Sequence, residues 1–363
     1  MQPEDLSIGV VLGGRYRLEA ELARGPESRV FRAAETRTGR EVALKVLARD
    51  PSDKTWASRF RREANLAREL QHPNTVRLLD FEVGGDTVPF IVYELLRGRT
   101  LRAVLQEQGA LGEARSIHIV SQILKALMES HALGVVHRDI KPDNVFICDF
   151  AGEEDFVKVL DFGIAKSMEP EATLLTSDGM LVGTPRYMSP DQIRGEPATP
   201  SMDLYAAGLV LAEMLAGVPV VGGDHAEACR TQLAPEPLVL PEAVYRTPLG
   251  PVIERAIRKD PAARFQLAGP FLTSLKASLG SIPPPRSELP DTVDHVPIQD
   301  VLGRLPPPAG VPSPVPPRDP SAPPPPGAAP AAAKLHPIVW LTLAFAMLGV
   351  LLGAIAIVIA VTR

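Results

Sequence analysis

Apolar and polar residues recur with two different periods along residues 16–279. Strand-like alternation is clearest in REVALKVL, residues 40–47, whose apolar face ends beside Lys45. Helix-like spacing follows in RFRREANLAREL, residues 59–70, and the apolar segment VKVL at 157–160 again reads as a strand. Turn residues separate these segments, so the pattern predicts one region that mixes strands and helices.

Two later segments follow other patterns. Proline recurs singly and in runs across 280–337, and such a composition predicts an extended, disordered linker. The run at 338–361 is apolar and uncharged, and as a helix it would be about 36 Å long, enough to cross a bilayer. Gly349 and Gly353 within it suit close packing of two such helices, and equally suit a helix whose small residues only face lipid.

Composition narrows the class of protein. The chain has 363 residues, 45% of them apolar, and a formal net charge of −5, which argues against nucleic acid as a partner. Its two cysteines, Cys148 and Cys229, provide neither a disulfide framework nor a metal cluster, so a reducing compartment is expected. The acidic N-terminal sequence lacks the features of a signal peptide.

Candidate chemistry lies in three short segments. In GVVHRDIKPDNVFI, Asp139 could accept a proton, Lys141 could neutralise a phosphoryl group and Asn144 could ligate a hard cation. Asp161 follows the apolar strand at 157–160. Taken alone, Lys45 reads as a snorkelling side chain and Asp161 as a turn residue, but together the segments predict phosphoryl transfer.

These segments, in this order, resemble the protein Ser/Thr kinase family in its bacterial eukaryotic-like (Hanks-type) branch, over 16–279. The resemblance implies an α+β fold of two lobes, a β-rich N-lobe and an α-helical C-lobe, preceded by an N-terminal extension at 1–15. It implies ATP with Mg²⁺ or Mn²⁺ as cofactors, and protein substrates. Lys141 in DIKPDN favours Ser/Thr over tyrosine as acceptors.

The resemblance also implies roles for the catalytic residues. Lys45 would hold the α- and β-phosphates and pair with Glu63. Asp139 would be the catalytic base, and Lys141 would contact the γ-phosphate. The implied metal ligands are Asn144 and Asp161.

For the nucleotide, the resemblance makes Tyr93 a bulky gatekeeper and assigns adenine hydrogen bonds to the backbone of Glu94 and Leu96. The other implied ATP-binding residues are Leu22, Ala23, Gly25, Ser28, Val30 and Ala43. Here the sequence departs from the family, because Ala23 and Ser28 replace loop glycines and Pro26 has no amide hydrogen. Weaker nucleotide binding is expected, and a pseudokinase that acts as a tethered binding module, or a purely structural scaffold, is the alternative to an active kinase.

Regulation is the next implication of the resemblance. Arg138, directly before Asp139, implies switching by phosphorylation of the activation segment. The candidate acceptors are Thr173, Thr176 and Ser177, with Thr176 the first choice. Thr184 is expected to bond to Asp139.

Two bracing interactions complete the resemblance. Asp203 is expected to brace the catalytic loop, and Arg264 to pair with Asp191. Asp191 is one methylene shorter than the family's glutamate, so a strained or water-bridged pair is expected.

Location follows from the need for ATP. We expect a single-pass protein of the cell inner membrane, tail-anchored by 338–361, with the kinase domain in the cytoplasm. A homodimer through the kinase domain or through Gly349 and Gly353 is expected, with no nucleic-acid partner.

Overall fold

The computed structural model describes residues 6–25, 28–49, 53–84, 88–150, 152–162 and 184–279. These all lie within one compact unit, Met1–Ser287. In the part described, no helix is both long and apolar enough to cross a membrane. The predicted features outside the described residues are the linker at 280–337, the span at 338–361 with Gly349 and Gly353, and the acceptors Thr173, Thr176 and Ser177.

The N-lobe is built on an antiparallel sheet of strand order β1-β2-β3-β4-β6-β5. Its strands are β1 Val11–Leu12, β2 Tyr16–Arg24, β3 Ser28–Glu35, β4 Glu41–Leu47, β5 Leu78–Glu82 and β6 Phe90–Glu94. Successive residues of β6 point to opposite faces, so Phe90 and Val92 join one apolar cluster while Ile91 joins the other. Both faces of the sheet are therefore covered.

Helix α1, Lys54–Arg68, covers the second of these faces. The side chain of Asp53 caps it by accepting hydrogen bonds from the backbone of Thr55 and Trp56. Its buried residues recur every three or four positions, as helical periodicity requires: Ala57, Phe60, Ala64 and Ala67. The helix predicted within 59–70 is thus confirmed, and Glu63 lies beside its buried face.

Residues 6–15 of the predicted N-terminal extension pack onto the N-lobe. Leu6 and Leu12 are buried in the N-lobe cluster, and Val11 pairs with Arg17 across β1 and β2. The apolar residues of IGVVLGG therefore belong to the core of the lobe.

The C-lobe is mainly helical and is centred on two long helices, α3 Glu113–Ala132 and α5 Pro200–Ala216. The shorter helices are α2 Leu101–Gln108, α4 Pro190–Ile193, α6 His225–Leu233, α7 Glu242–Tyr245, α8 Gly250–Ala256 and α9 Ala268–Leu279. A small antiparallel sheet of order β7-β8-β9 is formed by β7 Gly98–Thr100, β8 Val145–Phe150 and β9 Glu153–Val159. The predicted two-lobed α+β architecture is confirmed, and the loops after α3 and β9 lie where the lobes meet.

Candidate active site

The loop between α3 and β8 is held by one buried carboxylate. Asp203, on α5, accepts hydrogen bonds from the backbone N–H of His137 and of Arg138, both at 2.8 Å. His131 also reaches Asp203, with its ring nitrogen 2.8 Å from the carboxylate. Arg138 has a φ of 61°, a left-handed conformation that a non-glycine residue keeps only where its surroundings enforce it. The predicted bracing role of Asp203 is confirmed.

The carboxylate of Asp139 lies at the centre of this loop. Its Oδ2 is 3.0 Å from Lys141 Nζ and accepts a hydrogen bond of 2.9 Å from Asn144 Nδ2. The same Nδ2 donates to the backbone carbonyl of Asp139 at 2.8 Å. Because both hydrogen bonds use the amide nitrogen of Asn144, its amide oxygen can accept a bond from, or ligate, another group.

The predicted bond between Thr184 and Asp139 is wrong in this conformation. Among the described residues the Thr184 side chain makes no hydrogen bond. Its carbonyl instead accepts from the backbone of Tyr187 at 3.3 Å, at the start of the turn Pro185–Tyr187.

The predicted ion pair between Lys45 and Glu63 is also wrong in this conformation. Lys45 Nζ lies 2.8 Å from Asp161 Oδ2, and no ion pair joins it to Glu63 in the described part of the chain. Asp161 follows β9 with a φ of 52°, which directs its carboxylate toward β4. Glu63 remains half-buried on α1, and Arg138 is the charged residue that lowers its pKa most. The sequence identified the residues, but the position of α1 decides which carboxylate Lys45 takes.

Burial raises the pKa of Glu63 from 4.5 to about 7, although Arg138, Arg62 and Arg59 oppose the shift. Between about pH 4.5 and 7 the native state therefore keeps a proton that the unfolded chain has already released, and stability falls as pH rises through this window. Replacing Glu63 with Gln removes the titration. We expect only a small difference in melting temperature at pH 5, and at pH 8 a variant that melts several degrees higher.

Melting by scanning fluorimetry from pH 5 to 8 measures this effect. Glu69→Gln, at the exposed end of α1, is the matched control and should leave the pH dependence unchanged. A Glu63→Gln variant that melts below the unaltered protein at pH 8 would contradict the prediction and indicate that Glu63 is ionised and paired.

The predicted adenine site lies where β4 and β6 run side by side. Ala43 is opposite Tyr93 in the β4–β6 register, and Val30 is opposite Lys45 in β3–β4. Burial raises the pKa of the Tyr93 hydroxyl well above its usual value. The structure brings these residues together as the resemblance implies.

The connection from β6 to the C-lobe leaves backbone groups for a ligand. The backbone N–H of Glu94 donates to the carbonyl of Arg77, and the Glu94 side chain accepts a hydrogen bond of 2.7 Å from Lys158. The backbone of Leu96 has no hydrogen bond within the described residues. Gly98 closes the connection with a φ of 141°, and a Cβ there would lie 2.1 Å from the carbonyl oxygen of Ile147. Only glycine fits at this position.

A cleft of about 740 Å³ runs under the β2–β3 hairpin. Ala23, Gly25, Ser28 and Val30 line it with Lys45, Asn144 and Asp161, whereas Leu22 is half exposed. Two aspartates face it, and its cationic side chains are Arg24, Lys45, Arg102, Lys141 and Arg186. The excess of positive charge suits an anionic ligand.

Sequence reasoning missed a buried network at one end of this cleft. Arg102 donates to Glu213 at 2.6 Å and to the hydroxyl of Tyr187 at 2.5 Å, and that hydroxyl donates to Glu213 at 2.6 Å. Burial raises the pKa of Tyr187. No local sequence pattern predicts this network, because its three residues come from distant segments of the chain.

Arg264 and Asp191 form a direct pair. Arg264 NH2 lies 2.7 Å from Asp191 Oδ1, and both residues are buried. The expectation of a water-bridged pair is wrong, because helix α4 brings the shorter carboxylate close enough for a direct hydrogen bond.

Comparison with known proteins agrees with this geometry. The sequence profile of the protein kinase domain family matches residues 16–265. The serine/threonine-protein kinase pkn3 of Myxococcus xanthus is 39% identical over 284 residues, covering 75% of this chain and 51% of the relative. The serine/threonine-protein kinase PknA of Mycobacterium tuberculosis is 36% identical over 289 residues, covering 77% of this chain and 64% of the relative.

The chain thus spans about half the length of the first of these relatives. Among solved structures, the PknI kinase domain of Mycobacterium tuberculosis aligns with a TM-score of 0.57 at 25% identity, covering 75% of this chain and 99% of that domain. This likeness supports the two-lobed fold.

Proposed function

Because this chain belongs to the protein kinase domain family, we propose that it transfers the γ-phosphate of ATP to serine and threonine residues of proteins. One observation carries the proposal: the carboxylate of Asp139 contacts Lys141 and Asn144, and these two residues line the same cleft as Lys45 and Asp161. These residue types at one place match what transfer between a nucleotide and a hydroxyl requires.

In the proposed reaction, Asp139 accepts the proton of the attacking hydroxyl. Lys141 and Asn144 hold its carboxylate in one orientation, so a substrate hydroxyl that enters the cleft meets a fixed acceptor. Lys45 and Lys141 are the cations that would neutralise the charge of the transferring phosphoryl group. The backbone of Glu94 and Leu96 would bind the adenine.

The donor set of the cleft fits Mg²⁺ or Mn²⁺. The amide oxygen of Asn144 is left over once its nitrogen has bound Asp139, and Asp161 supplies a carboxylate with about a third of its surface exposed. Hard divalent cations prefer such oxygen ligands and phosphate oxygens. When bound there, the cation would neutralise phosphate charge.

Phosphorylation of the activation segment is the proposed regulation. In the conformation described, Lys45 is held by Asp161 rather than Glu63, and Arg138 Nε is buried with no hydrogen-bond partner among the described residues. A phosphate on Thr173, Thr176 or Ser177 would give Arg138 an anionic partner and leave Glu63 available to Lys45.

One observation favours the alternative, a pseudokinase that only binds. The N–H of Gly25 donates to the carbonyl of Ser28 at 2.8 Å, so the hairpin over the cleft does not offer this amide to a phosphate. Transfer of radiolabelled phosphate from ATP to a generic basic protein separates the two functions. Label transfer that disappears when Asp139 is replaced supports the kinase, and none from the unaltered chain contradicts it.

Membrane anchoring through 338–361 is part of the proposal, supported by the length and apolar character of that segment. The kinase domain would then lie on the cytoplasmic side, where ATP is available. In fractionated cells we expect the full chain in the salt-washed membrane pellet, and a Leu351→Arg, Ile355→Arg double variant in the soluble fraction, because each charge opposes insertion. Val301→Arg is the control, and a soluble unaltered chain would contradict anchoring.

A further inference from the structure

The β2–β3 hairpin over the cleft is closed by its own backbone. Gly25 N–H donates to the carbonyl of Ser28 at 2.8 Å and is therefore already used. Pro26 has no amide hydrogen. An anion beneath this hairpin therefore needs donors other than these amides.

Arg24 offers such donors. It is the last residue of β2, lines the same cleft as Lys45 and Asp161, and its side chain is 66% exposed. A bulge between Glu21 and Ala23 shifts the alternation of the strand by one residue. Glu21 and Arg24 therefore share a face, and Arg24 donates to the Glu21 carboxylate at 2.8 and 3.0 Å.

A second arginine, Arg29, also binds the Glu21 carboxylate and is largely buried. Arg29 donates to the same carboxylate at 3.1 and 2.6 Å, with only 10% of its side chain exposed. It also donates to the carbonyl of Leu6 at 3.1 Å and stacks on the ring of Phe31. Hydrogen bonds from Arg24 and Arg29 hold the pKa of Glu21 at about 2, so the carboxylate is charged at neutral pH.

This arrangement makes Arg24 exchangeable. If Arg24 turns toward the cleft, Glu21 keeps both oxygens bonded to Arg29. The pair that breaks is exposed, and such pairs contribute little to stability because water screens them. A guanidinium can bind a phosphate through two parallel hydrogen bonds, which are stronger than those from neutral amides.

We propose that Arg24 binds the phosphates of the nucleotide and replaces the amide donors that this hairpin lacks. The inference rests on the proposed function, because it requires ATP in the cleft. When a nucleotide binds, Arg24 then leaves the Glu21 carboxylate, which stays bonded to Arg29.

The test is calorimetric titration of the full chain with ATP and with adenosine, in the presence of Mg²⁺. We expect Arg24→Ala to raise the Kd for ATP about tenfold, corresponding to about 1.4 kcal/mol, and to leave the Kd for adenosine unchanged. The Kd of Arg24→Lys for ATP should lie between these two values, because lysine keeps the charge but cannot form the two parallel hydrogen bonds of a guanidinium. Arg37→Ala, in the exposed β3–β4 turn, is the matched control and should bind both ligands as the unaltered chain does.

The Glu21→Gln variant tests whether Arg24 binds the nucleotide or only stabilises the hairpin. It removes the charge that holds Arg24, so we expect ATP to bind as tightly as to the unaltered chain, or more tightly. A loss equal to that of Arg24→Ala, or a loss for adenosine as well, would overturn the inference. ATP binding that Arg24→Ala leaves unchanged would overturn it while the proposed function stands, whereas no ATP binding by the unaltered chain would overturn both.

Discussion

Replacing Asp139 with Asn is expected to lower the rate of phosphate transfer by about two to four orders of magnitude, the usual contribution of a general base. Asn has the same shape and can still contact Lys141 and Asn144, so the loop should keep its conformation. The loss should therefore appear in kcat, while the Kd for ATP changes little. Initial rates of radiolabel transfer, with ATP binding measured on the same preparation, separate these effects.

The control for this experiment is Asp260→Asn. The Asp260 side chain accepts a hydrogen bond from the backbone of Ala262, and Asn can accept the same bond. Mass spectrometry of the chain expressed alone is the second readout: phosphate on Thr173, Thr176 or Ser177 should be present in the unaltered chain and absent from Asp139→Asn. A variant that retains more than a tenth of the rate would show that Asp139 is not the base.

Replacing Arg264 with Ala is expected to cost about 3–5 kcal/mol of unfolding free energy, the largest stability effect that we predict. The guanidinium bonds Asp191 at 2.7 Å, the carbonyls of Arg258 and Lys259 at 2.6 and 2.9 Å, and lies over the ring of Tyr205. Its removal leaves the buried carboxylate of Asp191 without its cation. For a domain of this size the melting temperature should fall by on the order of 10 °C.

Arg246→Ala is the matched control for this measurement. Arg246 pairs with Glu242 one turn away on α7, with both side chains largely exposed, and removing such a pair should change stability by less than about 0.5 kcal/mol. Equal melting temperatures for Arg264→Ala and Arg246→Ala would show that the buried pair does not stabilise the fold. Chemical denaturation of both variants gives the free energies directly.

Several parts of the fold could be predicted because their signals are local. The helix that carries Glu63 repeats its apolar residues every three or four positions, and β4 alternates them around Lys45. The cluster of Asp139, Lys141 and Asn144 could be predicted because these residues are close in the chain, so any fold that forms this loop brings them together. Asp203 was assigned correctly from the resemblance, and its two backbone hydrogen bonds confirm the assignment.

Other contacts depend on distances that the chain does not encode locally. The network of Arg102, Tyr187 and Glu213 joins three elements, and α3 binds β9 through Arg115, whose Nε lies 2.6 Å from Asp155. Pairings of this kind are decided when whole helices and strands pack against one another.

The sequence by itself determined which groups this protein has for chemistry, because Lys45, Asp139, Asn144 and Asp161 each lie in a short segment with a recognisable local pattern. Only the tertiary structure decided how they are paired: Lys45 binds Asp161 and not Glu63, and Arg24 lines the cleft from a bulged strand. The physical reason is one of range. Periodicity and turn chemistry act between neighbours in the chain, whereas an ion pair depends on the placement of α1 against the sheet, and a shift of a few ångströms is enough to exchange its partner.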